Sequence, residues 1–278
     1  MQPRIKKIKN SEYIKTKSYD YWIKNFTKNS PASDLNSTIT EQEYFLFLEN
    51  EFNNNLGRYA WLEPEDHYCR SAIIISDGYD FEETHKSLKR KKDVCIIGVN
   101  NTLNKWKNEN CDLNFYLINN PYRDCLKFLS KKRNLPKCIS SNRTNYEFLN
   151  RYKGFIHRYS PANEEKINFN KASESLLQIE DYRNPICAAI NISFRFGCEN
   201  FLLLCTDDSF KENRPGSIHL ENGYYCFPQQ NFATEVIDGC LYWLKKNKNN
   251  IFYNSKSKKL ENATYINSED IEQLISEL

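Results

Sequence analysis

Residues 71–99, SAIIISDGYDFEETHKSLKRKKDVCIIGV, decide the fold of this chain. A short β-branched run at residues 72–75 is followed by a polar turn, a helical stretch and a second apolar run at residues 94–99. This alternation of strand, turn and helix is typical of a parallel α/β sheet. The stretch therefore predicts two neighbouring parallel strands joined by a crossover helix.

The same pattern continues along the chain. Four more apolar runs, each about as long as a buried parallel strand, lie at residues 114–118, 137–139, 154–157 and 201–205. Crossover helices are predicted at residues 82–90, 101–107, 122–132 and 145–152, and a further helix begins at Pro185 and stops at Gly197. We predict an α/β fold with a Rossmann-like, open, mainly parallel sheet flanked by helices.

Two domains are predicted. Helical periodicity at residues 13–26 and 40–52 predicts an N-terminal helical extension over residues 1–68, which could be a dimer face, an acceptor-recognition module or a cap on the sheet. Residues 69–278 are predicted to form a Rossmann-like nucleotide-binding transferase domain, with irregular loops near 160–183 and 207–230. A helix from about Asn231 to Lys246, a strand at 251–253 and a helix from Ser268 complete it.

Composition excludes several classes of protein. With 278 residues and a hydrophobic fraction of 40%, the chain can bury a large core, which excludes disorder. The 39 Lys and Arg are nearly balanced by 36 Asp and Glu, so no strongly basic surface for nucleic acid is expected. No apolar run approaches the roughly 20 residues that cross a bilayer, and no signal peptide is evident. We expect a cytoplasmic protein without a membrane span.

Cysteine and glycine usage adds two expectations. The 10 cysteines are scattered singly without a C-x-x-C pair, and several lie in apolar runs, as Cys95 and Cys205 do. They are predicted to be reduced, buried thiols rather than a zinc site or a disulfide framework. The chain has 8 glycines, which is few for a protein that binds phosphates through a loop. Such loops use glycine because its missing side chain leaves the backbone amides accessible to the phosphate.

Short polar side chains follow the predicted strands. In an open parallel sheet, ligands bind beyond the carboxyl ends of the strands near a topological switch point, so these residues are candidate nucleotide ligands. They are Ser76, Asp77, Gly78, Asn100, Asn119, Asn120, Ser140, Ser141, Asn142 and Ser209. The alternative for each is that it caps a helix or fills a turn.

Common catalytic motifs are absent from the sequence. There is no Walker motif, no complete G-x-G-x-x-G and no G-x-S-x-G, which argues against a P-loop ATPase, an ordinary dehydrogenase and an α/β-hydrolase. The four histidines show no metal spacing. His219 is the candidate histidine because it lies near Arg214 and downstream of Asp207, with a surface histidine as the alternative.

Three motifs together resemble one group of proteins. The motifs are residues 75–81, residues 97–100 and residues 196–210. They resemble the archaeal hydroxymethyl-dihydropterin diphosphokinase-like proteins and the bacterial motility accessory factors over roughly residues 70 to 255. The resemblance implies a Rossmann-like domain, linked in the first branch to pyrophosphate transfer from ATP and in the second to sialyltransferase-like transfer onto flagellin.

The resemblance carries over position by position. Gly78 keeps a glycine of the family's first loop, whereas Ser76 replaces another and Asp80 stands where a capping serine is usual. Asn100 matches the asparagine that ends the second strand. Asp207, Ser209 and Phe210 match the end of the sixth strand, while Cys205 stands where glycine is usual. The acid that commonly ends the third strand is replaced by Asn119 or Asn120.

These departures favour sugar transfer over pyrophosphate transfer, because the latter needs Mg²⁺ held by carboxylates. The resemblance then implies a CMP-type nucleotide-sugar donor, a glycan or protein acceptor and no required cofactor. Asp207 is the expected general base, and His219 or Arg214 stabilises the donor carboxylate or leaving phosphate. The alternatives are a diphosphokinase with Mg²⁺ on Asp207 and Asp208, and a non-catalytic nucleotide-sugar binder. Whether the chain forms a homo-oligomer stays open.

Overall fold

The structure is a computed structural model. It describes residues 41–57, 59–63, 68–78, 81–107, 111–132, 134–161, 178–179, 181, 184–206, 218–219, 225–226, 228–254 and 260–277. The predicted helix at residues 13–26 and most of the predicted loops at 160–183 and 207–230 lie outside these ranges.

Ten strands of the described chain form one sheet, and two more form a separate hairpin. The sheet strands are β1 Ala60–Trp61, β2 Ser71–Ile75, β3 Val94–Val99, β4 Phe115–Ile118, β5 Lys137–Ser141, β6 Ile156–Pro161, β7 Gln178–Ile179, β8 Asn200–Leu204, β11 Asn250–Asn254 and β12 Thr264–Tyr265. The hairpin consists of β9 Ile218–His219 and β10 Tyr225–Cys226.

Helices connect these strands. The α-helices are α1 Glu41–Leu56, α2 Phe81–Ser87, α3 Thr102–Lys105, α4 Tyr146–Arg151, α5 Pro185–Arg195, α6 Pro228–Lys246 and α7 Ile271–Glu277. Two 3-10 helices lie at Arg123–Phe128 and Ser268–Asp270. The crossover predicted at residues 122–132 is thus a 3-10 helix, and α6 begins three residues before the predicted start.

The sheet confirms the predicted fold class. Its strand order is β1-β6-β5-β4-β3-β2-β8-β11-β12, with β7 beside β6, and every neighbouring pair is parallel. The chain therefore runs from β2 outward to β6, then returns through α5 to β8 on the other side of β2. This reversal of strand order is the topological switch point of the sheet.

Both faces of the central strands are buried, which explains their continuous apolar sequence. Ile74, Ile97 and Leu203 pack in one cluster with residues of α5 and α6. Ile73 and Leu202 point to the other face, into a cluster with residues of α2 and α7. The molecule is accordingly a three-layer α/β structure whose carboxyl sheet edge is available for polar residues.

Helix α5 has the termini that its sequence predicts. Asn184 is the N-cap, and its side-chain oxygen accepts hydrogen bonds from the amides of Ile186 and Cys187 at 2.8 and 3.3 Å. Pro185 occupies the first turn, where its missing N–H is not needed. Gly197 follows the helix with a φ of +84°, a left-handed conformation that glycine adopts without strain.

Helix α1 covers the carboxyl ends of β4 and β5. The Asn50 amide donates to the Pro121 carbonyl at 2.9 Å, and the Asn54 amide donates to the carbonyls of Asn142 and Thr144 at 2.8 and 2.7 Å. Phe47 and Leu48 are buried beside these contacts. A role as a cap on the sheet, one of three predicted for the N-terminal helices, is therefore visible for α1.

None of the helices in the described ranges combines the length and apolar character that crossing a membrane requires.

Candidate functional site

The loops after β2 and β8 meet at the switch point. The Ser76 amide donates to the Leu204 carbonyl at 3.1 Å, and the Gly78 amide donates to the Cys205 carbonyl at 3.1 Å. Ligands of open α/β sheets bind in the crevice outside such a pair of strands. The carboxyl ends of β2 and β8 are therefore the candidate site, and these two backbone hydrogen bonds join the segments that follow the two strands.

The loop after β2 carries an ion pair that involves its Asp77 side chain. Ser76 is fully buried, whereas Asp77 and Gly78 are half-buried. The Asp77 carboxylate forms an ion pair with the Lys105 ammonium, with 3.1 Å between the two atoms, and the same ammonium donates to the Asp77 carbonyl at 3.3 Å. Sequence reasoning found Asp77 but missed Lys105, which reaches the loop from α3.

The turn after β3 is anchored by a hydrogen bond and by close packing against α3. Asn100 has a φ of +55°, and its carbonyl accepts a hydrogen bond from the Tyr116 hydroxyl at 2.7 Å. A Cβ atom on Gly98 would lie 2.6 Å from the Thr102 hydroxyl oxygen, so only glycine lets α3 approach β3 this closely. The half-buried Asn100 and the end of α3 are thereby fixed at the carboxyl edge.

A carboxylate reaches the end of β4 from a residue that sequence reasoning missed. Asp181 is 4% exposed, and its Oδ2 accepts hydrogen bonds from the Tyr159 hydroxyl at 2.9 Å and from the Asn119 amide at 3.5 Å. Burial, together with this carboxylate, raises the pKa of Tyr159. The prediction that residues 160–183 form a functional loop was the one signal that pointed toward this residue.

Four predicted ligands make contacts within the fold near β5. The Asn120 side-chain oxygen accepts from the Tyr122 amide, and the Ser140 hydroxyl donates to the Ser141 carbonyl. The Ser141 hydroxyl accepts from the Arg143 amide at 3.2 Å. Asn142 is 3% exposed under α1. Ser140 and Ser141 also belong to β5 itself, which extends two residues beyond the run predicted to end at Ile139.

The polar groups under α1 converge on Arg158 of β6. Its Nη1 donates to the Asn54 carbonyl at 2.5 Å, the Asn142 side-chain oxygen at 3.1 Å and the Asn55 side-chain oxygen at 3.2 Å. The guanidinium lies 4.4 Å from the centre of the Trp61 ring. Burial lowers the pKa of Arg158. This cation holds α1 against the β5–β6 end of the sheet and away from the switch point.

Several predicted catalytic, nucleotide-binding and metal-binding residues lie outside the described residues. Asp207, Asp208, Ser209 and Arg214 belong to this group. His219 lies in β9, where it pairs with Tyr225 of β10, so the segment predicted to be irregular contains a short hairpin. The positions of their side chains relative to the switch point stay predictions.

The described cysteines agree with the predicted thiols. None of the nine cysteines whose side chains the structure describes forms a disulfide; eight of them are buried, and Cys69 is half-buried. Burial raises the pKa of Cys125 to about 12, which keeps that thiol protonated. Within the described ranges, no group of three or more His, Cys, Asp or Glu is placed to hold a metal ion.

Cys205 occupies a backbone conformation that favours glycine. Its φ is +53°, and its side chain is 2% exposed in the core beside β8. A non-glycine residue in the left-handed region costs about 1–2 kcal/mol. A glycine at this position would adopt the geometry of the strand end without that cost.

We expect Cys205→Gly to change the free energy of unfolding by less than about 1 kcal/mol, because relief of backbone strain offsets the lost burial of the thiol. Cys138→Gly is the matched control, since Cys138 is equally buried but lies in β5 without a left-handed φ. It should cost about 2–4 kcal/mol. Urea unfolding measures both, and equal losses would contradict this account of Cys205.

Comparison with known proteins gives one structural match to report. No protein-family model and no curated protein matches the chain. The fold is similar to the solved structure of a Maf glycosyltransferase from Magnetospirillum magneticum AMB-1, with a TM-score of 0.63 and 12% sequence identity. The match covers 90% of this chain but 42% of that one. At this identity the likeness shows a shared fold.

Proposed function

We propose that this protein is a sialyltransferase-like glycosyltransferase that uses a nucleotide-activated, CMP-type sugar donor. One observation carries the proposal: the loops after β2 and β8 meet at the switch point of an open parallel sheet, with Asp77, Lys105 and Asn100 around them. The fold shared with a Maf glycosyltransferase supports the same class of reaction.

In this proposal the donor nucleotide binds at the carboxyl ends of β2, β3 and β8. Helix α1 occupies the corresponding ends of β4 and β5, which leaves the switch point for the ligand. Asp77, Gly78 and Asn100 are half-buried in this region, and Asn119 stands next to it at the end of β4. We therefore assign these four residues to the nucleotide. The fully buried Ser76 is treated as support for the loop after β2, and Asn142 as part of the support for α1.

Transfer joins an acceptor hydroxyl oxygen to the anomeric carbon of the donor sugar and breaks the bond from that carbon to the phosphate oxygen of CMP. In the proposed reaction Asp207 accepts the proton of the acceptor hydroxyl. His219 or Arg214 stabilises the leaving phosphate monoester or the donor carboxylate. The leaving group keeps both bonding electrons and needs no metal for charge balance when a cation is near it.

Pyrophosphate transfer from ATP with Mg²⁺ is the alternative reaction, with Asp207 and Asp208 as metal ligands. It would benefit from a carboxylate at the end of β4. The carboxylate found there belongs to Asp181, whose Oδ2 already accepts hydrogen bonds from Tyr159 and Asn119 inside the core. Those contacts fit a structural role, so the sugar-transfer proposal is preferred.

A thermal-shift panel with CMP, CDP, UDP and ATP, each with and without Mg²⁺, tests the proposal. A ligand at a hundred times its Kd adds about 2.7 kcal/mol of stability. We expect stabilisation by CMP without metal, followed by CMP release from a CMP-activated acidic sugar. Stabilisation by ATP with Mg²⁺ alone would favour the diphosphokinase, and binding without turnover would favour a non-catalytic nucleotide-sugar binder.

A further inference from the structure

In the described part of the loop after β2, residues 76–78, two of the three backbone amides are engaged in hydrogen bonds. Typical phosphate cradles point several backbone amides at the phosphate oxygens. Here the amides of Ser76 and Gly78 already donate to the carbonyls of Leu204 and Cys205. These two amides are not available to a phosphate at this end of the loop, so a side-chain donor nearby would strengthen its binding.

Lys105 is positioned to supply a side-chain donor at this loop. Its ammonium lies 3.1 Å from the Asp77 carboxylate and 3.3 Å from the Asp77 carbonyl, and its side chain is 38% exposed. An ammonium has three N–H donors, so these two acceptors leave a third for a ligand. Its partial exposure lets a ligand from solvent reach it.

The backbone around Lys105 is anchored on both sides. Before it, Thr102 packs against Gly98. After it, the Trp106 amide donates to the Thr102 carbonyl at 2.8 Å, and the buried indole donates to the Cys111 carbonyl at 2.9 Å. The backbone that carries Lys105 is thus preorganised, and Asp77 orients its ammonium, which reduces the entropy lost when the ammonium binds an anion.

We propose that Lys105 binds the phosphate of the donor nucleotide, with Asp77 as the acceptor that holds the ammonium in place. This inference rests on the proposed function and adds the residue that recognises the charge of the leaving group. Because Lys105 makes a charge-assisted hydrogen bond to a phosphate, it favours CMP over cytidine, which lacks the phosphate. The same contact stabilises the phosphate as the bond to the sugar breaks.

The proposal is tested by titrating CMP and cytidine separately against the full chain and measuring both affinities by ligand-observed NMR. We expect Lys105→Gln to weaken CMP binding about tenfold or more and to leave cytidine binding within about twofold. Lys105→Arg should retain most of the CMP affinity because it keeps a cation. Lys107→Gln is the matched control: its ammonium lies 3.9 Å from Glu82, its side chain is 68% exposed, and it should bind CMP as the unmodified protein does.

The outcomes separate this inference from the proposed function. If the unmodified protein binds no CMP, the proposed function and the role of Lys105 are both wrong. If CMP binds and Lys105→Gln binds it equally well, only the role of Lys105 is wrong. Equal losses for CMP and cytidine would also overturn it, because they would show that Lys105 supports the Asp77 loop instead of the phosphate. Melting temperatures of the variants within about 2 °C of the unmodified protein exclude loss of folding as the cause.

Discussion

Asp207→Asn is expected to reduce CMP release from a CMP-activated acidic sugar by at least about a hundredfold. The amide has the size of the carboxylate but cannot accept the proton of the attacking hydroxyl. CMP affinity should change by less than about threefold, because the proposed base acts on the acceptor and the phosphate contact belongs to Lys105. The measurement pairs initial rates of CMP release with titration of CMP.

Asp112→Asn is the control for this variant. Asp112 is exposed and precedes β4, so it lies at the amino end of the strand and away from the proposed site. Its substitution should leave CMP release unchanged. If Asp207→Asn retains the rate of the control, Asp207 is not the general base. If both variants lose the activity, the loss is caused by damage to the fold and not by removal of a general base.

Arg158→Met should lower the free energy of unfolding by about 3–5 kcal/mol, because each buried acceptor left without a donor costs about 1–3 kcal/mol, and this sum is a large share of the stability of a domain. Methionine fills a similar volume but donates no hydrogen bond. The Asn54 carbonyl and the Asn142 side-chain oxygen would lose their donor in a buried region. The stacking of the guanidinium on the Trp61 ring would also be lost.

Arg151→Met is the control for this loss. Arg151 lies on α4, and its guanidinium pairs with Glu147 at 3.6 Å with a side chain that is 60% exposed. An exposed pair of this kind contributes less than about 1 kcal/mol. Chemical denaturation compares the two variants. Similar stability for both would contradict the structural role given to Arg158.

The central sheet could be predicted from the sequence because its strands are buried on both faces. Runs such as residues 72–75 and 201–205 are apolar throughout, and each predicts a strand that the structure contains within one residue at either end. The strands β1 and β12 have only two residues each, so they carry no periodicity. They form because they pair with the exposed edges of β6 and β11. This pairing depends on the tertiary structure, which a local sequence pattern does not encode.

The candidate site was predicted in part. Ser76, Asp77, Gly78 and Asn100 follow the strands at the switch point, so the rule for open parallel sheets found them. Lys105 was missed because its contact with Asp77 spans 28 residues and depends on how α3 turns back. Asp181 was missed for the same reason, since its partner Asn119 lies 62 residues earlier.

The role of Asn142 shows the limit of the same rule. A polar residue at a strand end can face a ligand or a neighbouring helix, and the sequence does not distinguish the two. Here α1 covers the residue, Asn54 donates to its carbonyl, and Arg158 donates to its side chain. The arrangement depends on a helix 88 residues away in the chain, so the sequence around Asn142 does not predict it.

A crystal structure of the full chain with CMP tests the central claim most directly. The account predicts the nucleotide at the carboxyl ends of β2, β3 and β8, with a phosphate oxygen within hydrogen-bond distance of the Lys105 ammonium. CMP bound at any other place on the molecule, or crystals that take up no CMP at saturating concentration, would contradict it.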